Sequence, residues 1–363
     1  MRLACLIVVF CTLVSSSIAL ADHAIVLVND PSVSPDGQSI VFSWRGDIWL
    51  VPIAGGNPTQ LTTHPASDRE PKVSPDGKQV AFESTRTGSS QIFVMEIAGS
   101  SPLQLTFHSE GYDLQGWYPD GNSILALGSR DHFWRRSDRF LKVPAKPRSG
   151  ETVLFDDYGA AGHLDPQGRR LLFTREGERY WRKGYVGSRA SQIWLFNSED
   201  ASFRQVVQHP SGCRFPLWHP SGKSFYYVSG QTGSFNIFLR DLETGAEEQL
   251  TQFKDDSVNF TSISKDGSVI VFRHLFDLYK LDTATRQVQK LDLVYNGDRP
   301  RKPTMRRTLG SATDVAFSPD ALEIAFIAGG DVWVMDTELR EPKQITHTAE
   351  EERELSFTTD GKS

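Results

Sequence analysis

The sequence predicts an all-β fold: a six-bladed β-propeller of four-stranded blades, followed by the first blade or so of a second, incomplete propeller. Three observations carry this. A four-residue turn phrase recurs eight times along the 363 residues, its second position falling at 35, 75, 119, 166, 220, 265, 319 and 359, in steps of 40 to 54 residues. Between successive phrases lie short apolar runs separated by turn clusters, which is blade content at a blade period. The runs are rich in β-branched and aromatic residues, and no long apolar stripe of helical period appears.

Taken in chain order, residues 1–21 read as a secretory signal peptide. Met1-Arg2 gives a positive start, residues 3–14 are almost wholly apolar, and small residues stand before a cut expected after Ala21. That stretch is too short for a stable membrane anchor. It carries Cys5 and Cys11 away and leaves Cys213, so the mature chain has no intramolecular disulfide to form. Export and a fold held by its core, not by staples, are the expectation.

Residues 22–303 are assigned to the six-bladed ring, with blades expected at 31–70, 71–114, 115–160, 161–215, 216–260 and 261–303. The phrase itself explains the hairpins. In Ser34-Pro35-Asp36-Gly37 and its copies, Pro presets φ, Asp or Ser bonds its own backbone, and Gly accepts positive φ. In the first blade, runs at 39–43, 48–51 and 60–62 follow the turn, and the same order returns at 80–82, 92–95 and 104–106. The runs are mixed apolar and do not alternate, as for strands covered on both faces. Trp49, Trp194 and Trp333 recur at equivalent strand positions and are expected to pack between blades. Residues 298–310 are charged and carry two prolines, and 304–310 are taken as a linker. Residues 311–363 hold one repeat and a stub, the expected start of a truncated second propeller.

Composition limits function. Lys plus Arg is 39 against 45 for Asp plus Glu, a net charge of −6, which argues against a general nucleic-acid binder. No segment after the signal is long and apolar enough to anchor in a membrane. There is no G-x-S-x-G elbow, no H-E-x-x-H, no paired C-x-x-C and no P-loop, so no catalytic residue, metal ligand or cofactor is assigned. Ser211 and Ser221 sit in Gly-bearing turns, and His64, His108, His209 and His347 read as polar loop residues. Two basic segments stand out. Residues 130–148 include Arg135, Arg136 and Arg139, and residues 175–189 include Trp181, Arg182 and Lys183 among further Arg and Tyr residues. They read either as salt-bridge partners or as a site for an anionic group.

The segments "RGDIWLVPIAGG" (45–56), "SDREPKVSPDGKQVAFESTRTGSSQIFVM" (67–95), "ERYWRKGYVGSRASQIWLF" (178–196), "FPLWHPSGKSFYYVSGQTGSFNIFLRDLETG" (215–245) and "ATDVAFSPDALEIAFIAGGDVWVMDTE" (312–338) resemble the N-terminal part of the tricorn protease family. The likeness runs from 24 to 363 and includes the long insertions of blades 3 and 4. It implies a six-bladed propeller followed by a seven-bladed one, which sieve and channel peptides toward serine-peptidase subdomains absent from this chain. It implies peptides or unfolded polypeptide as partners, and a homo-oligomer in the full-length family. It also implies that Arg135 and Arg136, an adjacent pair in the blade 3 insertion, anchor the terminal carboxylate of a peptide, with a planar donor fork suited to that group. Arg139, Trp181, Arg182 and Lys183 complete the expected substrate-binding set. The alternative from another class is a TolB-like exported propeller that binds a protein partner and never carried catalysis. The best-known members of the family are cytoplasmic, whereas the signal peptide here points to the periplasm or outside.

Overall fold

A computed structural model of the chain describes residues 23–129, 138–177, 184–297, 310–338, 342–346, 350–361 and 363, and every regular element among them is a strand. The expected signal peptide, most of the linker, and Arg135, Arg136, Trp181, Arg182 and Lys183 lie outside the described residues. The chain divides into two units, Met1–Arg299 and Pro300–Ser363.

The first unit contains six four-stranded antiparallel sheets, each with its strands in sequence order. In blade 1 these are Asn29–Val33, Ser39–Trp44, Asp47–Pro52 and Thr59–Gln60, counted from the innermost outward. The inner strands of blades 2 to 6 are Asp68–Val73, Asp113–Trp117, Ala160–Leu164, Cys213–Trp218 and Val258–Ile263. They begin up to three residues before the expected blade openings. The cause is a β-bulge in every inner strand. Pro31, Pro71 and Pro216 lie in these bulges, where a residue with no N–H leaves no ladder bond broken, and in the sequence they look like loop punctuation.

The turn phrase forms the hairpin after each inner strand. Ser34 Oγ donates to Asp36 Oδ1 (2.5 Å) and accepts the Ser39 N–H, while Asp36 Oδ1 accepts the Gln38 N–H. The same arrangement returns at Ser74/Asp76 and Ser264/Asp266. These bonds to the ionised form hold the Asp36 carboxyl below its usual range, the Ser34 hydroxyl contributing most.

Burial explains the mixed apolar runs. Second-strand residues alternate between two inter-blade cores. Ile40 and Phe42 face the core shared with blade 6, and Val41 faces the core shared with blade 2. Leu171 and Phe173 join the blade 3 side, while Leu172 joins the blade 5 side. Six apolar clusters result, one at each junction, and none belongs to a single blade. Trp49 sits in the first of them, edge-on to Trp44 and Tyr295, with its indole N–H on the Trp44 carbonyl.

The two ends of the ring meet in a clasp. His23–Ala24 pairs antiparallel with Val294–Tyr295, Ile25 N–H donates to Leu293 O (2.9 Å), and Gly56 N–H donates to Asp292 O (2.8 Å). Ile25, Val28, Leu291 and Leu293 are buried in the cluster between blades 1 and 6.

In the second unit the described strands Asp314–Phe317, Glu323–Ala328, Asp331–Asp336 and Lys343–Gln344 form one further four-stranded sheet. Its Ser318/Asp320 turn copies the phrase, with Ala321 in the left-handed region where the other copies have Gly. Trp333 donates to the Ala328 carbonyl five residues back, as Trp49 does to Trp44. Phe317 and Leu322 are exposed on this sheet.

The clasp is testable at Gly55. It has φ +87°, and a Cβ there would stand 2.7 Å from the Asp292 carbonyl oxygen. Gly99 has φ +104° with nothing within 4 Å of such a Cβ. Urea unfolding of Gly99→Ala is expected to show about 1 kcal/mol of backbone strain. Gly55→Ala adds the clash and should lose about 2–4 kcal/mol. Equal losses would show that the contact with residue 292 contributes nothing to closure.

Candidate functional site

The six inner strands enclose a central cavity of about 490 Å³, lined by residues of all six blades. Three levels can be followed along it. At one mouth stand the second positions of the turn phrase: Pro35, Pro75, Pro119, Pro166 and Pro220, with Lys265 as the sixth. Each of these prolines lacks a backbone donor. Lys265 has one, and gives it to the Pro35 carbonyl (3.0 Å), while its ammonium reaches toward the Pro75 carbonyl (3.5 Å). The collar packs tightly: a Cβ on Gly267 would lie 2.7 Å from Pro220 Cδ.

The next level is the position just after each bulge: Ser32, Lys72, Gly116, His163, Leu217 and Ser262, which share one register against their second strands. Side chains here tie blade to blade. Val73 N–H donates to Ser32 Oγ (3.0 Å), Trp218 N–H to His163 Nδ1 (3.1 Å), and Val33 N–H to Ser262 Oγ (3.1 Å). At other junctions neighbouring groups do the same work. Leu114 N–H donates to Glu83 Oε1 (2.7 Å), Gly162 N–H to Gln115 Oε1 (3.1 Å), and Arg214 Nη2 to Asn259 Oδ1 (3.1 Å).

The third level is the bulge itself, occupied around the ring by Asp30, Glu70, Gln115, Ala161, Phe215 and Phe260. Five of these six, all but Gln115, have φ between 48° and 53°. A non-glycine residue held there costs on the order of 1 kcal/mol or more, so the surrounding sheet must impose it. The ring is polar on blades 1 to 3 and apolar on blades 4 to 6. Phe215 and Phe260 lie 6.0 Å apart and form the apolar wall.

On the polar wall, Asp30 is 8% exposed and accepts the Ser43 hydroxyl (2.8 Å). Lys72 Nζ lies 3.7 Å from Glu70 Oε2. Burial raises the Glu70 carboxyl to about 8, and the charges of Asp30 and Glu83 push the same way against Lys72 and Arg69. His163 is held down at about 4 by burial and by Lys72. Its Nδ1 accepts the Trp218 N–H, so the neutral ring carries its proton on Nε2. Cys213, buried beside Ser229, has its thiol pushed up to about 11 by desolvation and is a packing residue.

Of the residues expected to bind substrate, only Arg139 is described. It begins the third strand of blade 3, and its Nη1 donates to Asp156 Oδ1 (3.1 Å) on the fourth strand. It does not line the cavity. Arg175, in the second basic segment, is ion-paired with Asp157 (2.9 Å) and lies 4.6 Å over the Tyr158 ring. The described parts of both segments therefore carry structural ion pairs. His64, His108 and His209 each accept the N–H two residues ahead, at Ala66, Glu110 and Ser211, as loop caps. Asp30, Glu70, Lys72 and His163 were not singled out in the sequence. A signal was present: Asp30, Glu70, Ala161, Phe215 and Phe260 all stand four residues before the start of the turn phrase.

Residues 26–287 match the sequence model of the tricorn protease N-terminal beta propeller domain. The tricorn protease homolog 1 of Streptomyces coelicolor is 26% identical over 270 residues, covering 73% of this chain and 25% of that protein. The crystal structure of the tricorn protease superposes on 89% of this chain and 32% of its own, with TM-score 0.62 and 17% identity. The structure of the putative TolB from Agrobacterium tumefaciens has TM-score 0.54 and 23% identity over 67% of this chain and 87% of its own. The chain thus spans about a quarter of the curated tricorn homologue and a third of the solved tricorn chain. At these identities the solved structures speak to the fold.

Glu70 gives the channel a pH signature. Its folded carboxyl holds a proton up to about pH 8, against an ordinary value of 4.5. The stability this group supplies is present below pH 4.5 and is lost as pH rises toward 8. Glu70→Gln, which cannot ionise, should match the native chain at pH 4 and exceed it at pH 9 by about 1–2 kcal/mol, a figure reduced for screening by channel water. Chemical denaturation at both pH values measures the difference. A Glu70→Gln chain no more stable at pH 9 would mean the carboxylate is well solvated there.

Proposed function

The chain belongs to the family of the tricorn protease N-terminal β-propeller domain, and on that premise we propose that its six-bladed ring is a non-catalytic conduit that admits peptides and orients them for a serine peptidase activity located elsewhere. The observation that supports this most directly is the central cavity, which draws walls from all six blades and sets a polar face opposite an apolar one. An extended peptide presents both kinds of group along its length, whereas a folded protein cannot enter so small a space. No described residue supplies a nucleophile and base in hydrogen-bonded array facing the cavity, so binding and selection are the chemistry proposed for the ring.

The full chain is expected to bind short unstructured peptides, read by fluorescence anisotropy, and to leave fluorogenic peptides uncut. Turnover that co-elutes with the chain on a sizing column would overturn the non-catalytic reading. A second reading has its own support: the chain matches 87% of the length of a TolB-like structure with TM-score 0.54. In that case the ring is an exported protein-binding module, peptides do not bind, and a folded partner does. Export itself is part of the proposal, resting on residues 1–21, and a periplasmic reporter fused after Ala21 tests it.

For a peptide's carboxyl end, the proposed anchor is the adjacent pair Arg135 and Arg136, and Arg139, Trp181, Arg182 and Lys183 of the two basic segments complete the proposed set. A charge-assisted contact of this kind contributes about 1.5–3 kcal/mol, roughly 10- to 150-fold in affinity. Arg135→Ala with Arg136→Ala should weaken peptides with a free carboxylate and leave amidated ones nearly unchanged. An equal loss for both removes the pair from the site.

A further inference from the structure

The polar wall of the channel sets two carboxyl groups, Asp30 and Glu70, beside one ammonium, Lys72. Asp30, Glu70, Asp165, Lys72 and Lys265 are the charged groups lining the cavity. Asp165 is neutralised by Arg170 Nε (2.8 Å) and by two backbone N–H groups. Lys265 stands at the proline collar and reaches for Pro75. Lys72 is therefore the cation shared by Asp30 and Glu70, and it sits 3.7 Å from Glu70. Among the described residues no cation lies within ion-pair distance of Asp30, which is more than nine-tenths buried.

The groups around Glu70 do not mend this. Arg69, on the same strand, is turned to Glu83 (2.9 Å), itself on the second strand of blade 2 and holding the Leu114 N–H of blade 3. Across the ring, His163 of blade 4 is neutral beside Lys72. A carboxylate confined in this way is stabilised most by a cation delivered between it and its neighbour. The opposite wall is formed by the rings of Phe215 and Phe260, each packed against a guanidinium, Arg214 at 5.4 Å and Arg273 at 4.7 Å, and Arg273 donates to Asn29 next to Asp30.

We propose that Asp30 and Glu70 form a binding site for a positively charged group of a peptide in the channel, an α-ammonium or a basic side chain, whose apolar neighbours rest on Phe215 and Phe260. This rests on the conduit reading and adds a preference to it. Occupation by a cation favours ionised Glu70, which holds its proton up to about pH 8 when the site is empty. Binding near neutral pH therefore expels a proton from the Glu70 carboxyl into the buffer.

The test uses the full chain and isothermal calorimetry at pH 7 in two buffers of different ionisation enthalpy. The probes are an acetylated, amidated pentapeptide of leucines with one central lysine, its norleucine counterpart, and the norleucine peptide with a free amino terminus. The lysine peptide is expected to bind at least about tenfold more tightly than the blocked norleucine one, and to release a fraction of a proton approaching one. The free-amine probe shows whether an α-ammonium substitutes for the side chain. In the double variant Asp30→Asn, Glu70→Gln the advantage and the proton release should both vanish while norleucine binding persists. That persistence shows the ring is intact. Equal affinity of lysine and norleucine peptides for the native chain overturns the site and leaves the conduit standing. So does an advantage that survives the double substitution. Failure of every peptide to bind overturns the conduit and the site together.

Discussion

A ring of sheets has no free edge toward its neighbours only if every junction is bonded, and the bonding of the inner strands is the constraint on which this propeller depends. The inner strands run side by side around the axis, too far apart for a continuous backbone ladder. A side chain from one blade therefore reaches a backbone N–H of the next: Ser32 to Val73, Gln115 to Gly162, His163 to Trp218 and Ser262 to Val33. Together with six apolar clusters that straddle the junctions, these bonds leave the blades individually incomplete. Where the ring closes, the first described strand pairs with the last of the unit, and backbone bonds from Ile25 to Leu293 and from Gly56 to Asp292 extend the seam.

The bulges that shape the inner strands also furnish the channel. An extra residue in a strand bends it and re-aims a side chain. Here that happens once per blade, so a ring of six such residues comes from one backbone device. The device sets position and leaves chemistry open. Asp30 and Glu70 use it to put carboxyl groups on one side of the cavity, and Phe215 and Phe260 use it to put rings on the other. The resulting asymmetry across the channel is a property of six separate residues, invisible in any one blade.

Most of the architecture could be read in the sequence because its cause is local and repeated. Pro35, Asp36 and Gly37 dictate a turn wherever they occur, and residues such as Ile40, Val41 and Phe42 show by their unbroken apolarity that both faces are covered. The bulges were harder to see. Asp30-Pro31 and Glu70-Pro71 look like loop chemistry, because the left-handed φ they adopt is imposed by neighbouring sheets and not by their own side chains. His163 is the clearest case. As a residue it could be a ligand, a base or a surface group. Its part as acceptor for the Trp218 N–H follows only from a contact 55 positions away in the chain. The basic segments are legible only in part. Their charge is conspicuous in an acidic chain, and the described Arg139 and Arg175 are bound to Asp156 and Asp157 on the fourth strand of blade 3, partners that the sequence alone does not reveal.

The junction bonds have a bearing on how such a chain avoids folding wrongly. Repeats this alike could in principle dock out of order, blade 2 against blade 5 or one molecule's blade into another's ring, which is a known hazard of repeat proteins. The turn phrase offers no protection, since it is nearly the same in every copy. The couplers are not all the same: two junctions use a serine hydroxyl, and the other four use a glutamate, a glutamine amide, a histidine ring and an arginine. Most of them accept a backbone N–H that any blade offers, so they differ in size and reach; the Arg214–Asn259 pair needs a particular side chain, and burying Arg214 against no acceptor costs about 1–3 kcal/mol. The common phrase makes blades, and the couplers that differ in reach and chemistry favour the native order at their own junctions.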